Sequence, residues 1–229
     1  MNLNFKKCTV MSVTRQQEPL RYIYNVDGNI IQEVNSHVYL GITFSSDLRW
    51  NLHIDTICRK AFQKLWFLKR NLKHATSETK LIVYKMSVRS ILEYACAVWD
   101  PYTSTNIDKL ENVQKKALRF IYNRWDRNSS ISRMYEDSGL VTLSRRRRDC
   151  RLKLFYELVH GKFKINIEDY VQYLPDYRTR KPHPLQFRSL DPRNDCFKYS
   201  FFPRTINEWN RLPADVVSAK SIDTFMDKI

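Results

Sequence analysis

Two groups of cationic side chains are spaced so that each could grip a polyanion. In the first group, Arg59, Trp66, Arg70 and Lys73 recur at helical spacing, which places them on one side of a helix. Guanidinium and ammonium groups bind phosphate, and an indole ring stacks on a base. The same pattern would also arise if Trp66 were covered by another part of the chain and the cations formed a solvated rim. The sequence leaves both interpretations open.

The second group is denser and lies further along the chain. Its members are Arg145, Arg146, Arg147, Arg148, Arg151 and Lys153. Neighbouring positions of a helix point in different directions, so the four consecutive arginines cannot all be buried. Dense basic runs bind phosphate or act as nuclear-import signals. An ordinary solvated helix start is the alternative, although positive charge at a helix N-terminus opposes the helix dipole.

The usual sequence signatures of catalytic and metal sites are absent. No Walker-A run, nucleophile elbow or H-E-x-x-H motif occurs, and the histidines are far apart. The carboxylates form no Asp-Asp, D-x-D or D-x-E group of the kind that holds two metal ions for phosphoryl transfer. The five cysteines fit neither a disulfide framework nor a zinc site. We therefore predict no catalytic residue, no metal ligand and no cofactor, and we expect buried thiols in a reducing compartment.

The charge of the chain favours a polyanionic partner. The 229 residues carry a net charge of +15, of which residues 1–50 carry only +1. Such an excess of positive charge favours nucleic acid first and an acidic membrane second. No apolar run approaches the roughly 18 residues of a membrane-spanning helix, and the first residues lack the apolar region of a signal peptide. We expect a nuclear or cytoplasmic protein that binds neither a membrane nor a small-molecule substrate.

The elements that must position these groups change in kind near Asp47. Before it, short β-prone runs occur, and Asp27-Gly28 between two of them indicates a hairpin. After it, the apolar residues follow helical spacing, which predicts a helix over about 51–73. Further helices are expected from an N-cap at Thr76 to the residue before Pro101, and over about 105–124. A shorter helix over about 130–138 should end at a C-cap at Gly139, and another should run from an N-cap at Thr142 to about His160.

The predicted fold class is α+β and mainly α. A short N-terminal antiparallel β-hairpin segment is followed by a basic helical bundle and a small helical tail. The predicted divisions are a β segment (1–48), a first group of helices (49–124), a basic helical extension (125–171), a proline-rich linker (172–196) and a C-terminal helical tail (197–229).

Several blocks of sequence resemble one known family. The blocks are YLGI at 39–42, DLRW at 47–50, VRSILEY at 88–94, VWDP at 98–101, LENVQKKA at 110–117 and FFPRTI at 201–206. In this order they are similar to the region that follows the polymerase core in LINE-type (non-LTR) retrotransposon reverse transcriptases, which are RNA-directed DNA polymerases. The resemblance covers about residues 4 to 226.

This resemblance implies roles for particular residues. Lys6 or Lys7 would lie near the incoming nucleotide at the end of the palm domain. Tyr39, Leu40 and Gly41 would form the primer-grip hairpin, which positions the primer end. The helices up to residue 124 would contain the thumb domain, and the rest would be the extension that follows the polymerase.

The same resemblance implies that the chain is not an enzyme on its own. The metal-binding aspartates of the family lie upstream of the matching region, so Mg²⁺ would be needed only in the full-length polymerase. The expected partners are RNA or an RNA–DNA duplex, and the missing palm domain. Two alternatives are a stand-alone nucleic-acid-binding protein derived from such an element and a protein-interaction module that docks on a palm domain.

Overall fold

The computed structural model describes residues 4, 8–14, 16, 22–126, 128–175 and 183–229. Short strands occupy the N-terminal part and helices occupy most of the remainder, which confirms the predicted α+β, mainly α class. Within the described ranges, no helix is both long enough and apolar enough to span a bilayer.

In the part of the chain that the structure describes, six short strands form three separate pairs. They are β1 (Thr9–Val10), β2 (Asn25–Val26), β3 (Asn29–Ile30), β4 (Gln32–Glu33), β5 (Ser36–Tyr39) and β6 (Ile42–Ser45). Strands β2 and β3 are antiparallel, as are β5 and β6, whereas β1 pairs with β4 in parallel. The antiparallel arrangement predicted for this segment is therefore confirmed for the two hairpins and wrong for the pair of β1 and β4.

The two hairpins turn through residues in the left-handed region. Asp27 and Gly28 have φ angles of 49° and 79°, and Leu40 and Gly41 have φ angles of 47° and 80°. Positive φ at both central residues is what a two-residue hairpin loop needs to match the twist of its strands. The hairpin predicted at Asp27-Gly28 is confirmed.

Eleven helices occur in the described part of the chain. They are α1 (Asn51–Asn71), α2 (Ser77–Tyr84), α3 (Ser90–Glu93), α4 (Cys96–Trp99), α5 (Ser104–Tyr122), α6 (Ile131–Ser138), α7 (Leu143–Val159), α8 (Asp195–Lys198), α9 (Phe201–Trp209), α10 (Ala214–Val217) and α11 (Ile222–Lys228). A π-helical turn, Lys85–Arg89, joins α2 to α3, and a 3₁₀ turn lies at Ile167–Asp169. The side chains of Thr76 and Thr142 cap α2 and α7 as expected, and Gly139 ends α6 with a φ of 61°.

The helix expected to run to Pro101 instead breaks before α4. Ala95 has a φ of 50°, an unusual value for a residue with a Cβ atom. The indole N–H of Trp99 donates to the carbonyl of Tyr94 at 2.8 Å, so a carbonyl left free by the break keeps a partner. This break redirects α4 and places Asp100 against α7.

Two hydrophobic cores share α7. The first holds the buried faces of α1, α2, α3 and α5, with Trp99 and Leu143, and the second holds those of α9, α10 and α11. Leu152 and Phe155 of α7 lie in the second core together with Phe187. Phe187 belongs to the stretch predicted as a proline-rich linker, so the described part of that stretch contributes to a core.

Candidate nucleic-acid interface

Helix α1 separates an exposed basic face from a buried apolar face. Successive residues of a helix are rotated by about 100°, so Arg59, Trp66 and Arg70 lie within one narrow stripe. All three are exposed, as is Lys73 just beyond the helix end. Ile57 and other apolar residues on the opposite side are buried in the first core. The structure therefore brings the first predicted group together, and we call Arg59, Trp66, Arg70 and Lys73 the α1 face.

The buried side of α1 is fixed to the β5–β6 hairpin. The backbone N–H of Thr43 donates to Nδ1 of His53 at 3.2 Å. Burial lowers the pKa of His53 to about 4, so its ring is neutral at physiological pH. The rings of Trp50 and Trp99 meet His53 edge-on. These contacts hold α1 in place, so the α1 face is presented by a rigid element.

Few carboxylates oppose the cations of α1. The helix carries five lysines and arginines but a single acid, Asp55. That carboxylate pairs at 2.5 Å with Lys109 of α5, which adds a cation beside the helix. No described carboxylate lies within ion-pair distance of Arg59, Arg70 or Lys73. Their charges are therefore available to an external anion.

Exposed aromatic rings accompany these cations. Trp66 and Phe67 of α1 and Trp125 after α5 are each at least 40% exposed. The ammonium of Lys69 lies 5.0 Å from the ring centroid of Trp66 and 3.8 Å from that of Trp125. Such cation–π contacts hold the rings beside positive charge. Rings and cations on one surface suit a nucleic acid strand, whose bases stack and whose phosphates pair.

The second predicted group has a different environment. The Nη2 of Arg146 donates to Glu93 of α3 at 2.9 Å, and the Nε of Arg147 donates to Asp100 at 2.7 Å. Arg151 donates to the same Asp100 and, at 2.6 Å, to Glu208 of α9. Most arginines of this group therefore pair with carboxylates of this chain.

Arg147 and Arg151 cannot contact nucleic acid in this structure. Their side chains are 0% and 2% exposed. Both were predicted as phosphate-binding residues, and their burial corrects that prediction: α7 turns them towards Asp100 rather than towards solvent. Arg145 and Arg148 remain more exposed, with Asp149 within 4 Å of each and Glu208 3.5 Å from Arg148.

Asp100 is the centre of a buried ion-pair cluster that the sequence patterns did not reveal. Besides its bonds with Arg147 and Arg151, the Asp100 carboxylate forms an ion pair with Arg204 of α9 at 3.1 Å. The cluster therefore joins α7 and α9 to the segment after α4. In the sequence, the VWDP block marks Asp100, but it gives no indication of the residues that pair with Asp100.

Cations exceed carboxylates in this cluster. Burial lowers the pKa of Arg147, and burial together with repulsion from Arg204 lowers the pKa of Arg151 to about 10. Both terminal nitrogens of Arg147 are buried without a hydrogen-bond partner among the described residues. A buried cation in this position depends strongly on its carboxylate partner.

The hairpin predicted as a primer grip is exposed at its tip. Leu40 is 71% exposed and Tyr39 is also exposed, while the hydroxyl of Tyr94 donates to the carbonyl of Leu40 at 3.1 Å. Gly41 lies against the ring of Tyr94. These residues lie together at the loop between β5 and β6, and their role in holding a primer stays a prediction. Lys6 and Lys7 lie outside the described residues.

No group of three or more His, Cys, Asp or Glu side chains suited to a metal ion occurs in the described ranges.

Comparison with known proteins finds similarity to a protein of a transposon. A stretch of 107 residues, 45% of this chain, is 26% identical to "Probable RNA-directed DNA polymerase from transposon BS" of Drosophila melanogaster. The match covers 12% of that protein, so the chain corresponds to a small part of its length. No family model and no solved structure matches the chain. The similarity supports a relationship to the reverse transcriptases of transposons.

Proposed function

We propose that this chain is the C-terminal, nucleic-acid-holding part of a LINE-type reverse transcriptase and does not polymerise by itself. The β segment would correspond to the end of the palm and the primer grip, and helices α1 to α5 to the thumb. The similarity to a transposon RNA-directed DNA polymerase supports the relationship to reverse transcriptases. The order of the sequence blocks is the argument for the placement within such a protein.

The observation that carries the proposal is the α1 face. Its cations have no described carboxylate partner, and exposed rings lie on the same surface. Unpaired lysines and arginines neutralise phosphates and release the counterions that surround them. Such contacts position a nucleic acid without reading its sequence. We expect the α1 face to hold the backbone of a template–primer duplex or of its single-stranded extension.

The salt dependence of binding tests this proposal. The purified chain is titrated into a fluorescein-labelled RNA–DNA hybrid and into single-stranded RNA, and anisotropy is read at several salt concentrations. With roughly six phosphate contacts, affinity should fall by about a thousandfold between about 50 and 200 mM salt. If the chain binds neither probe at the lowest salt concentration, the proposal that it holds nucleic acid is wrong.

The same titration separates a piece of a polymerase from a stand-alone nucleic-acid-binding protein. A stand-alone protein should be monodisperse and bind with full affinity without other domains. A polymerase piece should gain affinity when a palm fragment from a related reverse transcriptase is added, because the template–primer then contacts both parts. An unchanged affinity favours the stand-alone protein.

The exposed hairpin tip favours a second candidate function, docking on a palm domain. Tyr39, Leu40 and Tyr94 together expose a large apolar surface. Apolar patches of this kind mark protein interaction sites. If the tip docks on a palm domain instead of holding a primer, replacing Leu40 with Asp should abolish binding of a palm fragment and leave the salt-dependent binding of nucleic acid by the α1 face intact. Equal palm binding by the variant would reject this role for the hairpin.

A further inference from the structure

Helices α1 and α5 lie side by side and run in the same direction. Near the start of both helices, the side-chain amide of Asn106 donates to the side-chain oxygen of Asn51 at 2.7 Å. One turn later, Lys109 of α5 pairs with Asp55 of α1. Because the contacting residues advance together along the two helices, the exposed surface of α1 continues directly onto α5.

Two further contacts between these helices join ammonium groups to aromatic rings. The ammonium of Lys116 in α5 lies 4.8 Å from the ring centroid of Phe62 in α1. Two turns later, the ammonium of Lys69 contacts the indole of Trp66 in its own helix and that of Trp125 just after α5. We call these five residues the α1–α5 seam. Trp66 also belongs to the α1 face, so the two surfaces are continuous.

The cations and indoles of the seam are accessible to a ligand. Among the described residues, no carboxylate lies within ion-pair distance of Lys69 or Lys116. An ammonium group on its flexible stem can turn from a ring to a phosphate. Trp66 and Trp125 are 43% and 40% exposed despite their contact with Lys69. The seam therefore offers both positive charge and aromatic surface.

The rings of the seam distinguish between the two nucleic acid forms that the proposed function leaves open. In a duplex, neighbouring base pairs cover the faces of each base, so a surface indole has no base face to stack on. Unpaired bases expose their faces and stack on aromatic side chains. Phosphates are present in both forms. Cations alone would therefore suit either form, whereas cations together with exposed rings suit an unpaired strand.

We propose that the α1–α5 seam binds an unpaired nucleic acid strand in preference to a duplex. Bases stack on Trp66 and Trp125, and phosphates pair with Lys69 and Lys116. This inference rests on the proposed function and deepens it, because it names the form of nucleic acid that this surface holds. In a template–primer complex, that form is the single-stranded template.

Paired variants locate the preference on the seam. Trp66→Ala combined with Trp125→Ala should remove the preference for the single strand over an RNA–DNA hybrid. Phe163→Ala combined with Tyr170→Ala is the matched control, because it removes two exposed rings elsewhere in the chain and should keep the preference. A preference that survives in the tryptophan variant, or that is lost equally in the control, would overturn the assignment to the seam.

A set of labelled probes of equal length tests the preference without altering the protein. The full chain is titrated at low salt with single-stranded RNA, an RNA–DNA hybrid, oligothymidine, and an abasic strand that keeps the phosphates of oligothymidine but lacks its bases. Single-stranded RNA should bind at least about fivefold more tightly than the hybrid, because a stacked base contributes about that much. For the same reason, oligothymidine should bind at least about fivefold more tightly than the abasic strand. Both ratios should grow as salt is added, since salt weakens the phosphate contacts.

The titration separates failure of this inference from failure of the proposed function. If the hybrid binds as tightly as single-stranded RNA, or the abasic strand as tightly as oligothymidine, the preference for unpaired bases is overturned while nucleic-acid binding stands. If no probe binds even at low salt, both this inference and the proposed function are overturned.

Discussion

The α1 face and the arginine run of α7 are both basic, but among the described residues the cations of the first have no carboxylate partner, whereas those of the second are paired with carboxylates. The run is the denser of the two in the sequence, with four consecutive arginines. Yet Arg147 and Arg151 are buried against Asp100, while Arg59 and Arg70 of α1 are exposed. The local density of positive charge is therefore a poor guide to the surface on which it acts.

The two basic regions differ in the carboxylates that lie close to their cations. Glu93, Asp100 and Glu208, which neutralise the run, come from three separate parts of the chain. Helix α1 has one acid, and Asp55 is paired with Lys109. The run thus binds the molecule's own carboxylates and connects its two cores. The described chain supplies no carboxylate to the α1 face, so under the proposed function its counterions are the phosphates of a nucleic acid.

The largest expected effect comes from removing the carboxylate that the buried arginines share. Asp100→Asn should lower the free energy of unfolding by about 3–5 kcal/mol, because it leaves buried guanidinium groups without their counterion. Urea titration followed by circular dichroism measures the change. Asp55→Asn is the matched control. It removes an exposed ion pair and should lower the free energy of unfolding by less than about 1 kcal/mol. Equal losses in the two variants would contradict the internal role of the run.

The next largest effect should be on binding. Replacing Arg59, Arg70 and Lys73 together with Gln should flatten the log–log salt slope for an RNA–DNA duplex by nearly 3, at about 0.9 per lost phosphate contact. Stability should change little, since all three side chains are exposed. Anisotropy titrations at several salt concentrations give the slope.

A second triple variant that loses the same charge elsewhere separates the effect of the α1 face from the effect of net charge. Arg133, Lys162 and Lys164 are also exposed but lie outside α1. Their replacement with Gln should alter the slope much less than the α1 triple variant does. If both triple variants bind alike, net charge rather than the α1 face is responsible for binding.

A smaller effect is expected from the aromatic part of the α1 face. Trp66→Ala should weaken binding of single-stranded RNA by about 1–3 kcal/mol if one base stacks on the indole. Phe163→Ala, which removes an exposed ring outside α1, is the control and should have no effect on affinity. Identical affinities for wild type and Trp66→Ala would limit the α1 face to phosphate contacts.

The smallest effect is expected from the exposed part of the arginine run. Arg145→Gln combined with Arg148→Gln should leave the salt slope almost unchanged, because Asp149 lies beside both side chains and Glu208 beside Arg148. A salt slope that flattens as much as in the α1 triple variant would show that Arg145 and Arg148 do contact nucleic acid.

Local signals predicted the helices well and the connections between them poorly. The helix expected over 51–73 is Asn51–Asn71, and the caps at Thr76, Gly139 and Thr142 are present. These features depend on neighbouring residues, so they are readable in a sequence. The break at Ala95 has no such signal, because alanine strongly favours continuing a helix.

The same distinction between features set by neighbouring residues and features set by distant residues applies to the candidate site. The α1 face could be predicted because its spacing within one helix fixes which side chains share a side. The burial of Arg147 and Arg151 could not, because it depends on Asp100 and Glu208, which the fold brings from distant positions.

Photochemical cross-linking tests the central contrast most directly. An RNA that contains 5-bromouridine is bound to the full chain at low salt and irradiated, and the cross-linked peptides are identified by mass spectrometry. We predict cross-links to Trp66, Phe67 or Trp125 and none to the segment that contains Arg147 and Arg151. Cross-links concentrated on α7, with none on α1, would show that the assignment of the two basic regions is reversed.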